Sequence, residues 1–174
     1  MPRPAKTMSE KVIKVDHAGE NGAVNIYRAQ VIGARLTARD LVSDIRENQT
    51  HEQRHRRLFA EQLQRWNVRR CISYHVCGIG GFALGLLTGF MGRQAIHATT
   101  YAVESVVLEH LRHQLDFLRN ANEDAFHCVA AIIADEQKHH DSAVTRLQQS
   151  QALNKLLVFV VKVSTEGVIR FGMR

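Results

Sequence analysis

A chain of 174 residues, 45% hydrophobic and 23% charged, has one domain's length, material for a real core, and too apolar a composition for disorder. The formal charge of +6 points to anionic partners such as nucleic acid or lipid and says nothing about fold. Three cysteines, Cys71, Cys77 and Cys128, form no C-x-x-C pair, which argues against a disulfide framework and against a sulfur-ligated iron or zinc centre.

Both prolines, Pro2 and Pro4, lie at the extreme N-terminus, so long helices are permitted everywhere downstream. Residues 1–9 are expected to be a flexible N-terminus, and without the apolar core of a secretion signal the chain reads as intracellular. Apolar side chains at Ile13, Val24, Tyr27 and Val31, with Ser9-Glu10 as a start signal, predict a helix over about 10–35. A second helix over about 40–66, with Asp40 as its N-cap, carries the stripe Leu41, Ile45, Asn48, Glu52, His55, Phe59, Leu63 and Trp66.

Residues 71–92 carry no charge beyond His75 and are long enough to cross a bilayer. Their six glycines suit instead a short apolar helix that packs closely or lies in an interface. A helix over about 94–119 places His97, Tyr101, Glu104, Leu108 and Leu111 on one stripe. After the polar turn Asn120–Asp124, another helix is expected over 123–149, with Val129, Ile132, Glu136, His139 and Leu147. The run LLVFVVKV lies in a C-terminal segment, 151–174, expected as a helix because no partner strand exists.

The two long hairpins repeat one another. Glu20 precedes Glu52-Gln-Arg-His55 as Glu104 precedes Glu136-Gln-Lys-His139: 52 minus 20 and 136 minus 104 are both 32, and the two copies lie 84 residues apart. In an antiparallel helix pair, residues sit level when the turn falls midway between them. The midpoints here, residues 36 and 120, fall in or beside the two turns. A Glu and a His at i and i+3 share one helix face and can ligate one ion. Four carboxylates in an apolar core cost several kcal/mol per charge unless positive charge matches them, and two divalent cations supply +4 against −4. One Glu from each of two helices plus a Glu-x-x-His from each of two others is the ligand pattern of di-iron and di-manganese carboxylate bundles. Such oxygen-rich ligation suits iron or manganese better than structural zinc. The fold expected is therefore all-α: a ferritin-like four-helix bundle of two repeated hairpins, with a short apolar membrane-facing helix and a C-terminal helix.

Val15-Asp-His-Ala-Gly-Glu-Asn-Gly-Ala23, Ile26-Tyr27, Gly81-Phe-Ala-Leu-Gly85, Ala102-Val-Glu104 and Asp135-Glu136 with His139-His140-Asp141 resemble the demethoxyubiquinone hydroxylases of ubiquinone biosynthesis. The resemblance implies a di-iron monooxygenase that hydroxylates a polyprenyl benzoquinone ring with O2. It carries two iron ions to Glu20, Glu52, His55, Glu104, Glu136 and His139, with the two E-x-x-H glutamates bridging, and matches His110 to a histidine near the quinone. Where eukaryotic members usually have tyrosine, this chain has Asn21 and Leu111. His140 and Asp141 are either orienting groups behind the ligands or surface residues.

A single bilayer crossing by 71–92 would separate Glu52 and His55 from Glu104, so the segment must return or lie flat. Arg65, Arg69, Arg70 and Arg93 around it, and Lys155, Lys162 and Arg170 in the tail, fit peripheral binding to anionic lipid. The implied location is the inner face of a bacterial cytoplasmic membrane or the mitochondrial inner membrane, with a quinone and lipid as partners and no nucleic acid. A homo-oligomer, an accessory lipid-presenting protein and an external reductant such as NADH complete the expectation; no glycine-rich dinucleotide fingerprint is present. The competing reading is a ferritin-like iron store or peroxide scavenger with the same ligands.

Overall fold

In a computed structural model describing residues 1–148 and 152–173, the chain is helical nearly throughout, with no strand among the described residues. Helix α1 (Met8–Thr37) starts at a capping box whose N-cap, Thr7, lies two residues before the Ser9 of the expected start signal. Thr7 accepts from the Glu10 backbone N–H, while Glu10 accepts from the backbone of Lys6 and Thr7. Arg3 adds an ion pair of 2.5 Å to Glu10. Its own backbone pairs with Asn67 and Arg69, tying the N-terminal segment to the far end of the next hairpin arm.

A short 3-10 turn, Arg39–Leu41, leads into α2 (Val42–Arg65). Asp40 is not an N-cap: no side chain caps this turn, and Asp40 instead pairs with Arg93 at 2.7 Å. Helix α3 (Ser73–Met91) ends at Gly92, whose φ of +92° is a conformation that glycine adopts without strain. From there α4 (Arg93–Ala121) runs back, and Asn122 caps α5 (Glu123–Ala130) by accepting from the Ala125 N–H.

The helix expected over 123–149 is two helices. Ala131 and Ile132 form a tight turn between α5 and α6 (Ile133–Arg146), and Leu147 is extended; residue 149 lies outside the described residues. Neither glycine nor proline marks the break. The expected C-terminal helix is α7 (Ala152–Met173), residues 151 and 174 lying outside the described residues.

The bundle proper is a square of α1, α2, α6 and α4, each antiparallel to its neighbours. Tyr27 meets Glu104 and Asp16 meets Gln114 across α1 and α4, while Glu47 meets Lys138 and Asp44 meets Arg146 across α2 and α6. Joining the end of α2 to the start of α4 requires a connection as long as the bundle, the ferritin-like topology. Helix α3 is that connection. It runs parallel to α1, with Gly81 against Gly22, Gly85 against Ile26 and Gly89 against Gln30. Glycines four apart let two backbones approach within a distance that any side chain would block. Helix α7 runs along α4, where Lys162 lies 4.8 Å from the Tyr101 ring centroid and His110 meets Glu166.

Two apolar layers close the bundle. One holds Ile13, Phe59, Leu118, Val129 and Ile132; the other holds Tyr27, Ala34, Leu41, Ile45 and Ile96. The polar cluster sits between them.

Candidate metal centre

All six ligand candidates project inward and are buried, the most exposed being Glu20 at 6%. They fall into two groups, Glu20, Glu52, His55 and Glu136, and Glu52, Glu104, Glu136 and His139, in each of which the ligand atoms lie within 4.8 Å of one another. Glu52 and Glu136 belong to both groups, and they are the two residues for which the family resemblance implied a bridging role.

The histidines cross over: His55 Nδ1 lies 2.9 Å from Glu136 Oε1, and His139 Nδ1 lies 3.1 Å from Glu52 Oε1. Despite those distances, neither Nδ1 nor its facing oxygen makes a geometrically acceptable hydrogen bond. Buried polar atoms left unpaired cost about 1–3 kcal/mol each, more when charged. Four such atoms converging on shared space is the arrangement of donors aimed at cations, and a hard, oxygen-rich set with two imidazoles fits iron or manganese.

Burial and mutual repulsion set where the cluster carries its protons. Burial, followed by repulsion from Glu52, raises Glu20 well above the carboxylate range; burial followed by repulsion from Glu136 does the same to Glu104. Burial also works to raise Glu52, but the close approach of the His139 and His55 rings outweighs it and holds Glu52 low. Burial disfavours the charged histidines, yet the surrounding carboxylates prevail, raising His55 far above normal and His139 to about 9.

A stability prediction follows from the sign. A histidine whose pKa is raised on folding stabilises fully below its unfolded value, near 6.5, and loses that contribution as pH rises through about 9. The raised Glu20 and Glu104 act in the same direction and Glu52 opposes them. Metal-free protein should therefore lose on the order of 3 kcal/mol between pH 6.5 and 9 from His139 alone, and saturating metal should flatten the dependence. Thermal melts across that range, with and without divalent metal, check this.

Behind the ligands stand groups that sequence reasoning missed. Asp135 Oδ2 lies 3.0 Å from His55 Nε2 and also pairs with Arg54. His51 Nδ1 lies 3.0 Å from His139 Nε2, the two rings stacked at 9°. Tyr27 donates to Glu104 Oε1 at 3.0 Å. His140 and Asp141, by contrast, pair with each other towards solvent and reach none of the ligands, so the surface reading of them is the correct one.

One side of the cluster forms the floor of a cavity of about 410 Å³ between α1, α3, α4 and α7. Glu20, Glu52, Glu104 and Glu136 are in the floor; Ile26, Leu84, Val103, Val107, Leu111 and Val161 supply apolar wall. His110 lines it, held by Glu166 from α7 at 2.7 Å, with Arg170 on the same carboxylate at 2.5 Å. Asp16 and Gln114 form a second polar pair in the wall at 2.9 Å. Burial pushes the Asp16 carboxyl up to about 7 against the pull of the Gln114 hydrogen bond.

A four-helix bundle carrying a Glu on each of two helices and a Glu-x-x-His on each of the others has the ligand pattern seen in ferritin-like dinuclear carboxylate proteins. The chain belongs to the family of the ubiquinone biosynthesis protein COQ7, whose model matches residues 7–172. It is 31% identical over 168 residues to the mitochondrial NADPH-dependent 3-demethoxyubiquinone 3-hydroxylase of Dictyostelium discoideum, covering 95% of this chain and 76% of that protein. The rat protein of the same name is 30% identical over 169 residues, covering 95% and 77%. The 3-demethoxyubiquinol 3-hydroxylase of Rhodospirillum rubrum is 30% identical over 142 residues, covering 80% and 65%. These relatives leave the iron-storage reading without support.

Proposed function

We propose that this protein is a di-iron hydroxylase of a demethoxyubiquinone-type ring, taking a polyprenyl quinone from a membrane surface into the cavity above its carboxylate cluster. The observation that carries the reading is the cavity itself: four buried ligand carboxylates lie at its floor, and Val76, Val160 and Val168, exposed apolar residues, lie among its lining. An apolar pocket of this size with a few convergent polar groups is the usual form of a small-molecule site.

Iron bound by Glu20, Glu52, His55, Glu104, Glu136 and His139 would supply the activation of O2. Overall, one oxygen atom of O2 is inserted into a ring C–H bond to give the hydroxyl, and the other leaves as water with two electrons from an outside reductant and two protons. The mitochondrial relatives are named NADPH-dependent, which favours NADPH over NADH as that reductant. The chain's own residues do the positioning. His110 and the Asp16–Gln114 pair offer hydrogen bonds to the oxygen-bearing ring, with Glu166 orienting His110. Valine and leucine walls exclude water from the reacting atoms.

The outer surface supports membrane docking. Ile72 just before α3, Val76, Ile79 and Leu87 on it, and Leu156, Phe159, Val163 and Phe171 on α7, are all exposed. So large an apolar area marks an interaction site. By length and composition alone α3 could cross a bilayer, but its close packing along α1 favours the two helices lying together in the membrane surface. The proposed location is the mitochondrial inner membrane or the inner face of a bacterial cytoplasmic membrane, in keeping with one relative named as mitochondrial and another from a bacterium.

The test is to supply iron-loaded protein with a demethoxylated quinone, NADPH or a chemical reductant, and 18O-labelled O2. Labelled hydroxyquinone is expected. Iron mineral or peroxide consumption without labelled product would overturn the reading.

A further inference from the structure

The 84-residue repeat holds for all six ligands and fails immediately behind them. Position 51 in the first half corresponds to 135 in the second, each one residue before its E-x-x-H glutamate. The first is His51 and the second is Asp135. Because the histidines cross over, each of these residues braces the histidine of the opposite half: Asp135 faces His55 Nε2 and His51 faces His139 Nε2, both at 3.0 Å. The outer glutamates differ as well. Tyr27 donates to Glu104, whereas its repeat partner, 27 plus 84, is Leu111, a buried apolar residue in the cavity wall.

These differences act in one direction. An anionic carboxylate accepting the Nε2–H of His55 pushes electron density through the ring and makes its Nδ1 a stronger donor. A neutral imidazole does this far less for His139. A tyrosine hydroxyl bonded to Glu104 draws density away from a carboxylate that would otherwise give it to a cation. The ring pair is not a surface accident, since His139 is 1% exposed and His51 stacks flat against it.

We infer that the two metal positions are inequivalent by construction: the position built from Glu20 and His55 holds its ion more tightly and fills first, and His51, a weaker brace for His139 than Asp135 is for His55, is the positioning residue that sets the gap. This rests on the dinuclear reading above and adds an order of filling to it.

The experiment is anaerobic titration of the metal-free full chain with 57Fe2+, followed by Mössbauer spectroscopy and by competition with a chelator of known affinity. Wild-type protein should give one quadrupole doublet at one equivalent, a second on the second equivalent, and at least about a tenfold gap between the two affinities. His51→Asp should tighten the second ion and narrow the gap, and His51→Leu should widen it. Asp135→Asn should weaken the first ion by about 10–100-fold. His51 is only half-buried, and circular dichroism of each variant verifies that it folds. Two sites of equal affinity in the wild type, or a gap unmoved by both His51 variants, would overturn this inference while leaving the dinuclear centre standing. Failure to bind iron at all would overturn the centre itself.

Discussion

Replacing Glu52 by alanine is expected to remove both metal ions at once, while replacing Glu20 or Glu104 removes or weakens one. Glu52 has an oxygen in each of the two ligand groups, and Glu20 and Glu104 each have one in a single group. Loss of a ligand costs more than the 10–100-fold that loss of a supporting group does, so Glu52→Ala should lower affinity at both positions by more than about 100-fold. Glu136→Ala should behave in the same way. The metal-free form suffers too, because Glu52 is the acceptor that faces the charged His139 at 3.1 Å. An uncompensated buried charge costs about 3–5 kcal/mol. Metal content per chain, measured after anaerobic loading and desalting, separates the pattern from a general loss of folding. Glu20→Ala protein retaining one ion, beside Glu52→Ala protein retaining none, is the expected contrast. Equal losses in both would refute the bridging role.

The second large effect concerns α3. A side chain at Gly85 would be driven into the Ile26 carbonyl oxygen, and one at Gly81 into that of Gly22, both backbone atoms of α1 that cannot yield without moving the helix. Gly85→Leu should therefore destabilise by at least about 3 kcal/mol, a fall in Tm of about 10 °C for a chain of this size. Its neighbour gives the control. Gly80 has nothing within 4 Å of an added Cβ, so Gly80→Ala should be neutral or stabilise by up to about 1 kcal/mol through helix propensity. Gly22 and Gly81 also line the cavity, so separating α3 from α1 opens its wall. Gly85→Leu protein should lose quinone binding while keeping its metal, since no ligand comes from α3. Thermal melts and quinone binding on the two variants check this.

What the sequence made legible, and what it hid, has physical causes. The six ligands stand out because a charged residue on an otherwise apolar stripe is costly, and the spacings of 32 and 84 follow from level heights in antiparallel pairs. The glycines at 81, 85 and 89 announced a close backbone approach, but nothing local named α1 as the partner; that contact depends on chain direction across the whole bundle. The turn at Ala131–Ile132 has no glycine or proline to mark it, so periodicity ran straight through it. Asp40 has the residue type of an N-cap, yet a salt bridge to Arg93 from a distant helix claimed it. His51 and Asp135 carried a usable signal, the same offset of 84 that links the ligands. They were missed because a polar residue beside a ligand reads as solvated surface until the crossing of His55 and His139 is seen in three dimensions.

The most direct test of the central claim is the number of iron ions held by the purified full chain after anaerobic loading. Two per chain, released as the pH is lowered and the cluster takes up protons, is the predicted result. A folded chain that holds none at neutral pH would contradict it.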